Sequence, residues 1–216
     1  MVILSPFISF TVTIIRMKIT KDNKLKAIWS IFFILNLIYI ISAYFRLTQI
    51  RLLPQSIYEQ NIDFNIVFFW PYLFVQTISY SIIKLETDLT FLKRWIVSSL
   101  IWGIICFVLF QAFPVALYTT EHFTGFDTTI LGSVFYNFRH LTTQLNAFPA
   151  LFLGLGFITS FLNIFKNNKM GYIYLIIFLF LSLCALFIKQ VYLSSIIVSF
   201  LLTFILSLIS TKFLRS

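Results

Sequence analysis

The sequence predicts an all-α integral membrane protein built as a bundle of six transmembrane helices. Apolar residue types make up 60% of its 216 residues and charged types only 11%, whereas soluble domains average roughly 45–50% and about 25%. The apolar residues also occur in long uncharged runs. These observations exclude an ordinary soluble domain, a disordered chain and a nucleic-acid-binding module. The net charge of +9 is then mainly a signal of membrane topology.

Six uncharged runs are about as long as the ~20 residues that a helix needs to cross the hydrocarbon core. They cover residues 27–45, 64–83, 95–120, 141–165, 170–188 and 190–211. We therefore expect a single membrane domain. Residues 27–211 form its six-helix core, and residues 1–26 form an N-terminal segment that ends in a basic cluster.

Residues 1–15 are also apolar, but at 1.5 Å per residue they reach only ~22 Å, less than the ~30 Å thickness of the hydrocarbon core. Pro6 interrupts this segment early. We expect an interfacial or re-entrant helix here. A seventh span is the main alternative. A cleaved signal peptide is a further one, although no basic residue precedes the apolar run.

The basic residues predict the orientation of the chain in the cell membrane. With six spans, twelve of the sixteen lysines and arginines fall on the side of the 16–26 cluster, and four fall on the other side. Since positive residues mark the cytoplasmic side, both termini are predicted to be cytoplasmic. The connections after the first, third and fifth spans are then predicted to face outward.

The two cysteines, Cys106 and Cys184, lie inside apolar runs. This position is typical of small apolar filler in helices and does not support a disulfide framework. The chain has no CxxC or HExxH motif, only two histidines, and no Walker or dinucleotide fingerprint. Since those motifs carry the common metal and nucleotide sites, we expect neither a metal site nor a bound cofactor.

Two short patches open the predicted fourth and sixth spans. They read Asn146-Ala147-Phe148-Pro149-Ala150-Leu151-Phe152 and Lys189-Gln190-Val191-Tyr192-Leu193-Ser194-Ser195. With Trp70-Pro71-Tyr72 in the second span and Phe113-Pro114 at the end of the third, they resemble the type-2 phosphatidic acid phosphatase superfamily, and more closely its branch that includes the inositolphosphotransferases. That family reads roughly Asn-Ala-Phe-Pro-Ser-Leu-His and Lys-Gln-His-Tyr-Leu-x-Asp at the two places. The resemblance implies a six-helix membrane core with its site on the outer face.

This chain departs from the family at four positions. The phosphate-binding Ser and the acid His of the first motif are Ala150 and Phe152 here, while the nucleophilic His of the second motif and the Asp that orients it are Val191 and Ser195. Val191 has no lone pair, Phe152 has no titrating proton and Ala150 has no side-chain donor, so the covalent route is lost. The resemblance therefore implies a lipid phosphatase or phosphotransferase scaffold without its catalytic residues.

Four residues beside these motifs are candidate ligands for a lipid phosphate: Arg139, His140, Asn146 and Lys189. Arg139 and Lys189 would share one pocket if the fourth and sixth spans pack together. Each residue also has a structural interpretation. Arg139 and His140 could be a solvated pair near lipid headgroups, Lys189 a snorkelling side chain at a helix end, and Asn146 a helix cap.

Small residues favour close packing of the fourth and sixth spans. Ala150 and Gly154 lie four residues apart in the first of these spans, and Ser195 and Ser199 do so in the second. This spacing lets membrane helices approach each other closely. Helix packing alone explains these small residues as well as a functional role does.

The sequence favours an inactive relative of lipid phosphatases that binds a phosphorylated lipid or acts as a partner subunit. Its expected partners are membrane lipids and possible protein subunits, and no nucleic acid. One alternative is an active enzyme with His140 as acid or nucleophile and Glu121 or Asp127 as its orienting group. Another is a small lipid transporter, although its spans lack the buried charges that usually mark ion coupling.

Overall fold

The structure is a computed structural model that describes residues 23–44, 51–52, 65–113, 115–116, 133, 149–188 and 191–213. This part of the chain is helical apart from one short strand pairing. Its helices are α1 (Lys24–Tyr44), α2 (Phe69–Leu73), α3 (Val75–Leu85), α4 (Leu89–Ala112), α5 (Leu151–Phe165), α6 (Met170–Phe187) and α7 (Leu193–Phe213). A 3-10 turn covers Ile66–Phe68, and the strands are β1 (Arg51–Leu52) and β2 (Val115–Ala116). The segment 1–15, predicted to be interfacial, lies outside the described residues.

Four helices of the described part are long and apolar enough to cross a membrane: α1, α4, α6 and α7. Their outward faces carry large apolar side chains, such as Phe33 of α1 and Ile176 of α6, whose exposed fractions are 69% and 67%. Water does not favour so much exposed apolar surface, whereas lipid chains do. The chain is therefore an α-helical membrane protein.

Successive helices of the bundle run in opposite directions, as the contacts between their ends show. At one end the Lys24 ammonium donates to the carbonyl oxygens of Lys84, at 2.7 Å, and Glu86. At the opposite end the Asn65 N–H donates to the Phe187 carbonyl at 3.0 Å. The 3-10 turn, α2 and α3 thus form one broken rod between the two ends. We call the end that holds Lys24 and Lys84 the basic end.

The basic end gathers most of the charge in the described part of the chain. Its lysines and arginines are Lys24, Lys26, Lys84, Lys93, Arg94, Lys166, Lys169 and Lys212. Lys166, just after α5, pairs with Asp88 at 3.1 Å and with Glu86 at 3.5 Å. Desolvation alone would raise the pKa of Asp88. Hydrogen bonds from Lys166 and from two backbone N–H groups outweigh it and hold this pKa below the ordinary value of 3.8.

The uncharged run 95–120, which has room for a span and a turn, does not mark the start of the third long helix. Helix α4 begins at Leu89, not at residue 95, because the Asp88 side chain accepts hydrogen bonds from the N–H groups of Thr90 and Phe91 and caps the helix. It ends at Ala112, immediately before Phe113 and Pro114, and residues 117–120 of the run lie outside the described residues. In contrast, the helix predicted over 170–188 is confirmed by α6.

The predicted second span is helical but broken. Pro71 has no N–H, and its ring excludes the carbonyl four residues earlier, so this stretch cannot continue as a regular α-helix. A 3-10 turn precedes α2, and the Phe74 N–H donates to the Pro71 carbonyl only three residues back, at 3.2 Å. Helix α3 then begins at Val75.

Helix α5 lies at the centre of the bundle, with twelve of its fifteen residues buried. The indole N–H of Trp102 donates to the Leu151 carbonyl at 2.9 Å, and that of Trp95 donates to the Thr159 hydroxyl at 3.0 Å. Gly154 leaves room for the Trp102 ring, because a Cβ there would lie 2.4 Å from two of its atoms. Helix α4 is thereby fixed against α5 along most of its length.

Candidate functional site

The helices that follow the two motif patches contact each other where α5 begins. Ala150 is the N-cap residue of α5 and is buried, and its backbone N–H donates to the Ser199 hydroxyl of α7 at 2.9 Å. Helix α7 opens two residues after Val191 and carries Ser195 in its first turn. One hydrogen bond therefore joins the helix that follows the first motif to the helix that follows the second. The N-cap position is occupied by Ala150, and Asn146, the residue suggested as a helix cap, lies outside the described residues.

The two pairs of small residues, Ala150 with Gly154 and Ser195 with Ser199, contact different helices. Ser199 does contact the opening of α5, as expected from the spacing of Ser195 and Ser199. Gly154 instead accommodates Trp102 of α4. The small residue therefore serves the contact between α4 and α5 rather than the one between α5 and α7.

Apolar packing surrounds three of the four positions at which the chain departs from the family motifs. Ala150 is 6% exposed, and Phe152 and Val191 are half-buried and pack against the same hydrophobic cluster. Tyr72, of the Trp-Pro-Tyr patch in α2, packs against this cluster too. We call these four residues, which share one hydrophobic cluster, the apolar site.

Phe152 packs against an aromatic ring of α1 that in turn packs against a ring of α4. Its ring centroid lies 5.7 Å from that of Tyr39 in α1, and Tyr39 lies 6.3 Å from Phe110 in α4. These separations are typical of favourable aromatic pairs. Position 152, where the resemblance expects an acid, therefore contributes packing.

Ser195 is the one polar side chain among the four changed positions. It is completely buried, and its hydroxyl oxygen has no hydrogen-bond partner within the described residues. A buried hydroxyl without a partner is costly. Ser195 is therefore the one changed position that retains unused hydrogen-bonding capacity.

The opening of α5 lies deep within the bundle. Leu151 is level with Trp102 of α4. Trp102 lies ten residues, or ~15 Å along the helix axis, before the end of α4. Ala150 is level with Ser199, six residues or ~9 Å into α7. The sequence predicted this motif at the outer end of a span. In the structure, Ala150 and Leu151 lie below the ends of α4 and α7, and we call this position within the described residues the recess.

A pairing between distant segments lies near the end of α4. Strands β1 and β2 are parallel, with Arg51 opposite Val115 and Leu52 opposite Ala116. This pairing places the backbone of Arg51 next to the segment that follows Phe113. The sequence offered no signal for it, because two-residue strands have no periodicity to detect.

The described residues give the recess no catalytic or metal-binding group. No cluster of three or more His, Cys, Asp or Glu side chains occurs in that part of the chain. Cys106 and Cys184 are both buried and free of disulfides. The candidate ligands Arg139, His140, Asn146 and Lys189 lie outside the described residues, as do the acids Glu121 and Asp127, and they stay predictions.

The fold and the recess together define a helical membrane protein with an apolar site at the junction of α5 and α7. No protein-family model, characterised protein or solved structure matches the chain. The resemblance to the phosphatase superfamily therefore depends on the motif residues alone.

Proposed function

We propose that this chain is a catalytically inactive relative of the type-2 phosphatidic acid phosphatases that binds a phosphorylated lipid or serves as a partner subunit. The observation that carries the proposal is the hydrogen bond from Ala150 to Ser199. It joins the two helices whose first residues would form the catalytic site in that superfamily. A scaffold of this kind is retained here while its reactive side chains are replaced.

The chemistry of the apolar site supports the loss of catalysis. Phosphoryl transfer through a covalent intermediate needs a nucleophile, a general acid and donors for the phosphate oxygens. Ala150, Phe152 and Val191 supply none of these groups, and they pack with other carbon atoms instead. The Ser195 hydroxyl cannot orient and charge-stabilise a partner imidazole as a carboxylate does.

The proposed arrangement in the membrane has six spans. The broken rod of α2 and α3 and the short helix α5 would cross together with α1, α4, α6 and α7. Since positive residues favour the cytoplasmic side, the basic end would face the cytoplasm and the recess would open outward. Arg139, His140, Asn146 and Lys189 belong to the connections on that outer side, where cations and an amide suit a phosphate headgroup.

The experiment measures phosphate release and lipid binding by the purified protein. Its substrates are phosphatidate, prenyl phosphates and prenyl diphosphates. We expect no release above that of the triple variant Arg139→Ala, His140→Ala and Lys189→Ala. We also expect the wild type to bind phosphatidate-containing vesicles more tightly than this triple variant does.

The matched control removes three exposed lysines from the basic end: Lys26→Ala, Lys169→Ala and Lys212→Ala. It removes three positive charges, one more than the first triple variant, because His140 is counted as neutral at pH 7. It should nevertheless keep the phosphatidate preference. Release that depends on His140 would replace the proposal with an active enzyme. Equal lipid binding by both triple variants would exclude the phosphate site.

A further inference from the structure

Two amide side chains lie side by side at membrane depth on the outside of the bundle. Asn36 belongs to α1 and Gln76 to α3, and both are half-buried. Asn36 lies two residues past the middle of α1, a distance of ~3 Å along the helix axis. We call the surface between α1 and α3 at this level the Asn36–Gln76 groove.

The hydrogen bonds within the groove leave one donor and one acceptor unused. The Asn36 Nδ2 group donates to the Phe32 carbonyl at 2.8 Å and to Gln76 Oε1 at 3.4 Å. Only an NH₂ group can donate to a carbonyl, so these contacts fix the orientation of both amides. The two groups that remain, Asn36 Oδ1 and the Gln76 Nε2 group, have no hydrogen-bond partner among the described residues.

Lipid cannot satisfy these two groups. Hydrocarbon chains offer no donor or acceptor, and unpaired polar groups inside a bilayer are costly. Asn36 lies twelve residues, or ~18 Å, from Lys24 at the basic end. Since the core is ~30 Å thick, headgroups on either side are out of reach. Within the described part of the chain, the groove therefore offers polar groups that suit a partner with polar groups at the same depth.

We propose that the partner is a second copy of this chain, bound about a two-fold axis. The free acceptor of Asn36 in one copy would receive the free donor of Gln76 in the other, and the symmetric contact would form as well. A two-fold interface requires a self-complementary surface, and one acceptor beside one donor meets this requirement. Polar side chains are a recognised means of joining membrane helices.

Apolar side chains beside the amides would pack across the same interface. Trp29 and Phe33 of α1 are 61% and 69% exposed, and Leu37 and Ile40 continue this exposed face. Close van der Waals packing contributes much of the association energy of membrane helices. The proposal does not depend on the phosphate site, because the groove lies between α1 and α3 and the recess at the junction of α5 and α7.

The test measures self-association of the labelled full-length chain in phosphatidylcholine vesicles, by photobleaching steps at increasing protein-to-lipid ratios. We expect dimers for the wild type. For Asn36→Leu with Gln76→Leu we expect self-association weakened on the order of 100-fold, because each of the two interhelical hydrogen bonds is worth about tenfold. Tyr172→Leu is the matched control, since it removes an exposed polar side chain from α6 and should leave the dimer unchanged.

Two outcomes would overturn the proposal: a monomeric wild type at every ratio, or a double variant that dimerises like the wild type. Leucine suits a lipid-facing position, so helix content by circular dichroism should be unchanged. If the double variant loses helix content, Gln76→Met alone decides the question. It removes the free donor from both copies, and with it both interhelical hydrogen bonds, while it keeps an unbranched side chain. It should therefore also weaken the dimer on the order of 100-fold.

Discussion

Replacing Gly154 with alanine would force a methyl group into the space of the Trp102 ring. A Cβ at this position would lie 2.4 Å from Cε2 and from Nε1 of the indole. Trp102 is fully buried, and its N–H bonds to the Leu151 carbonyl at 2.9 Å. The ring therefore cannot move away without disturbing the opening of α5.

The size of the effect follows from three contributions. Overpacking of a tight core costs about 1–3 kcal/mol. Weakening the indole hydrogen bond costs about 0.5–1.5 kcal/mol more. Alanine offsets part of this loss, because it stabilises a helix by roughly 0.5–1 kcal/mol relative to glycine. We expect Gly154→Ala to lower the free energy of unfolding by about 1–3 kcal/mol.

The assay is unfolding in mixed micelles with increasing dodecyl sulfate, followed by circular dichroism. Gly103→Ala is the matched control, since a Cβ there would meet the flexible end of Leu35 at 2.5 Å. Its free energy of unfolding should stay within about 1 kcal/mol of the wild type. Combining Gly154→Ala with Trp102→Phe should cost less than the sum of the single losses, by about 0.5–3 kcal/mol. Equal stability of Gly154→Ala and Gly103→Ala would refute this reasoning.

Three further predictions use the same assay. Ser199→Ala leaves the buried Ala150 N–H without its acceptor and should cost about 1–3 kcal/mol, whereas Ser199→Thr keeps a hydroxyl and should cost less; equal losses would contradict the role of this bond. Asp88→Ala removes a helix cap and should cost about 1 kcal/mol. Asp88→Asn keeps the cap and loses only the exposed pair with Lys166, so its loss should be smaller; the reverse order would be inconsistent with capping. Because the pKa of Asp88 is lower in the folded protein than its ordinary value of 3.8, the ionised carboxylate stabilises the fold above that pH, and this stability is lost as the pH falls through the lowered pKa. The stability difference between the wild type and Asp88→Asn should therefore close below pH 3.8, and a constant difference would exclude this linkage.

Uncharged runs predicted helices well where lysines bound them and poorly where a helix includes charges. Helix α6 lies between Lys169 and Lys189, and its predicted range differs from the structure by one residue. Helix α4 extends past Lys93 and Arg94 to its cap, because long basic side chains can reach out of the membrane while their backbone stays helical. Charge alone therefore locates the membrane core of a helix and not its ends.

The site could be predicted from sequence only in part. The spacing of Ser195 and Ser199 allowed close packing of the fourth and sixth spans, and the Ala150–Ser199 bond joins the opening of α5 to α7. The depth of this junction was not predictable, because it depends on where Trp102 meets Leu151. Contacts between distant segments carry no periodic signal in the sequence.

The shortness of α5 has a consequence for the biosynthesis of the protein. Its fifteen residues span only ~22 Å, so its opening backbone lies at a depth where lipid cannot satisfy an N–H group. The Ala150 N–H instead donates to the Ser199 hydroxyl of α7, a helix that is synthesised after α5 and α6. A nascent chain that has not yet inserted α7 would therefore hold α5 with an unsatisfied end. A translation product that stops before α7 should be a substrate for membrane quality control rather than a partly working protein.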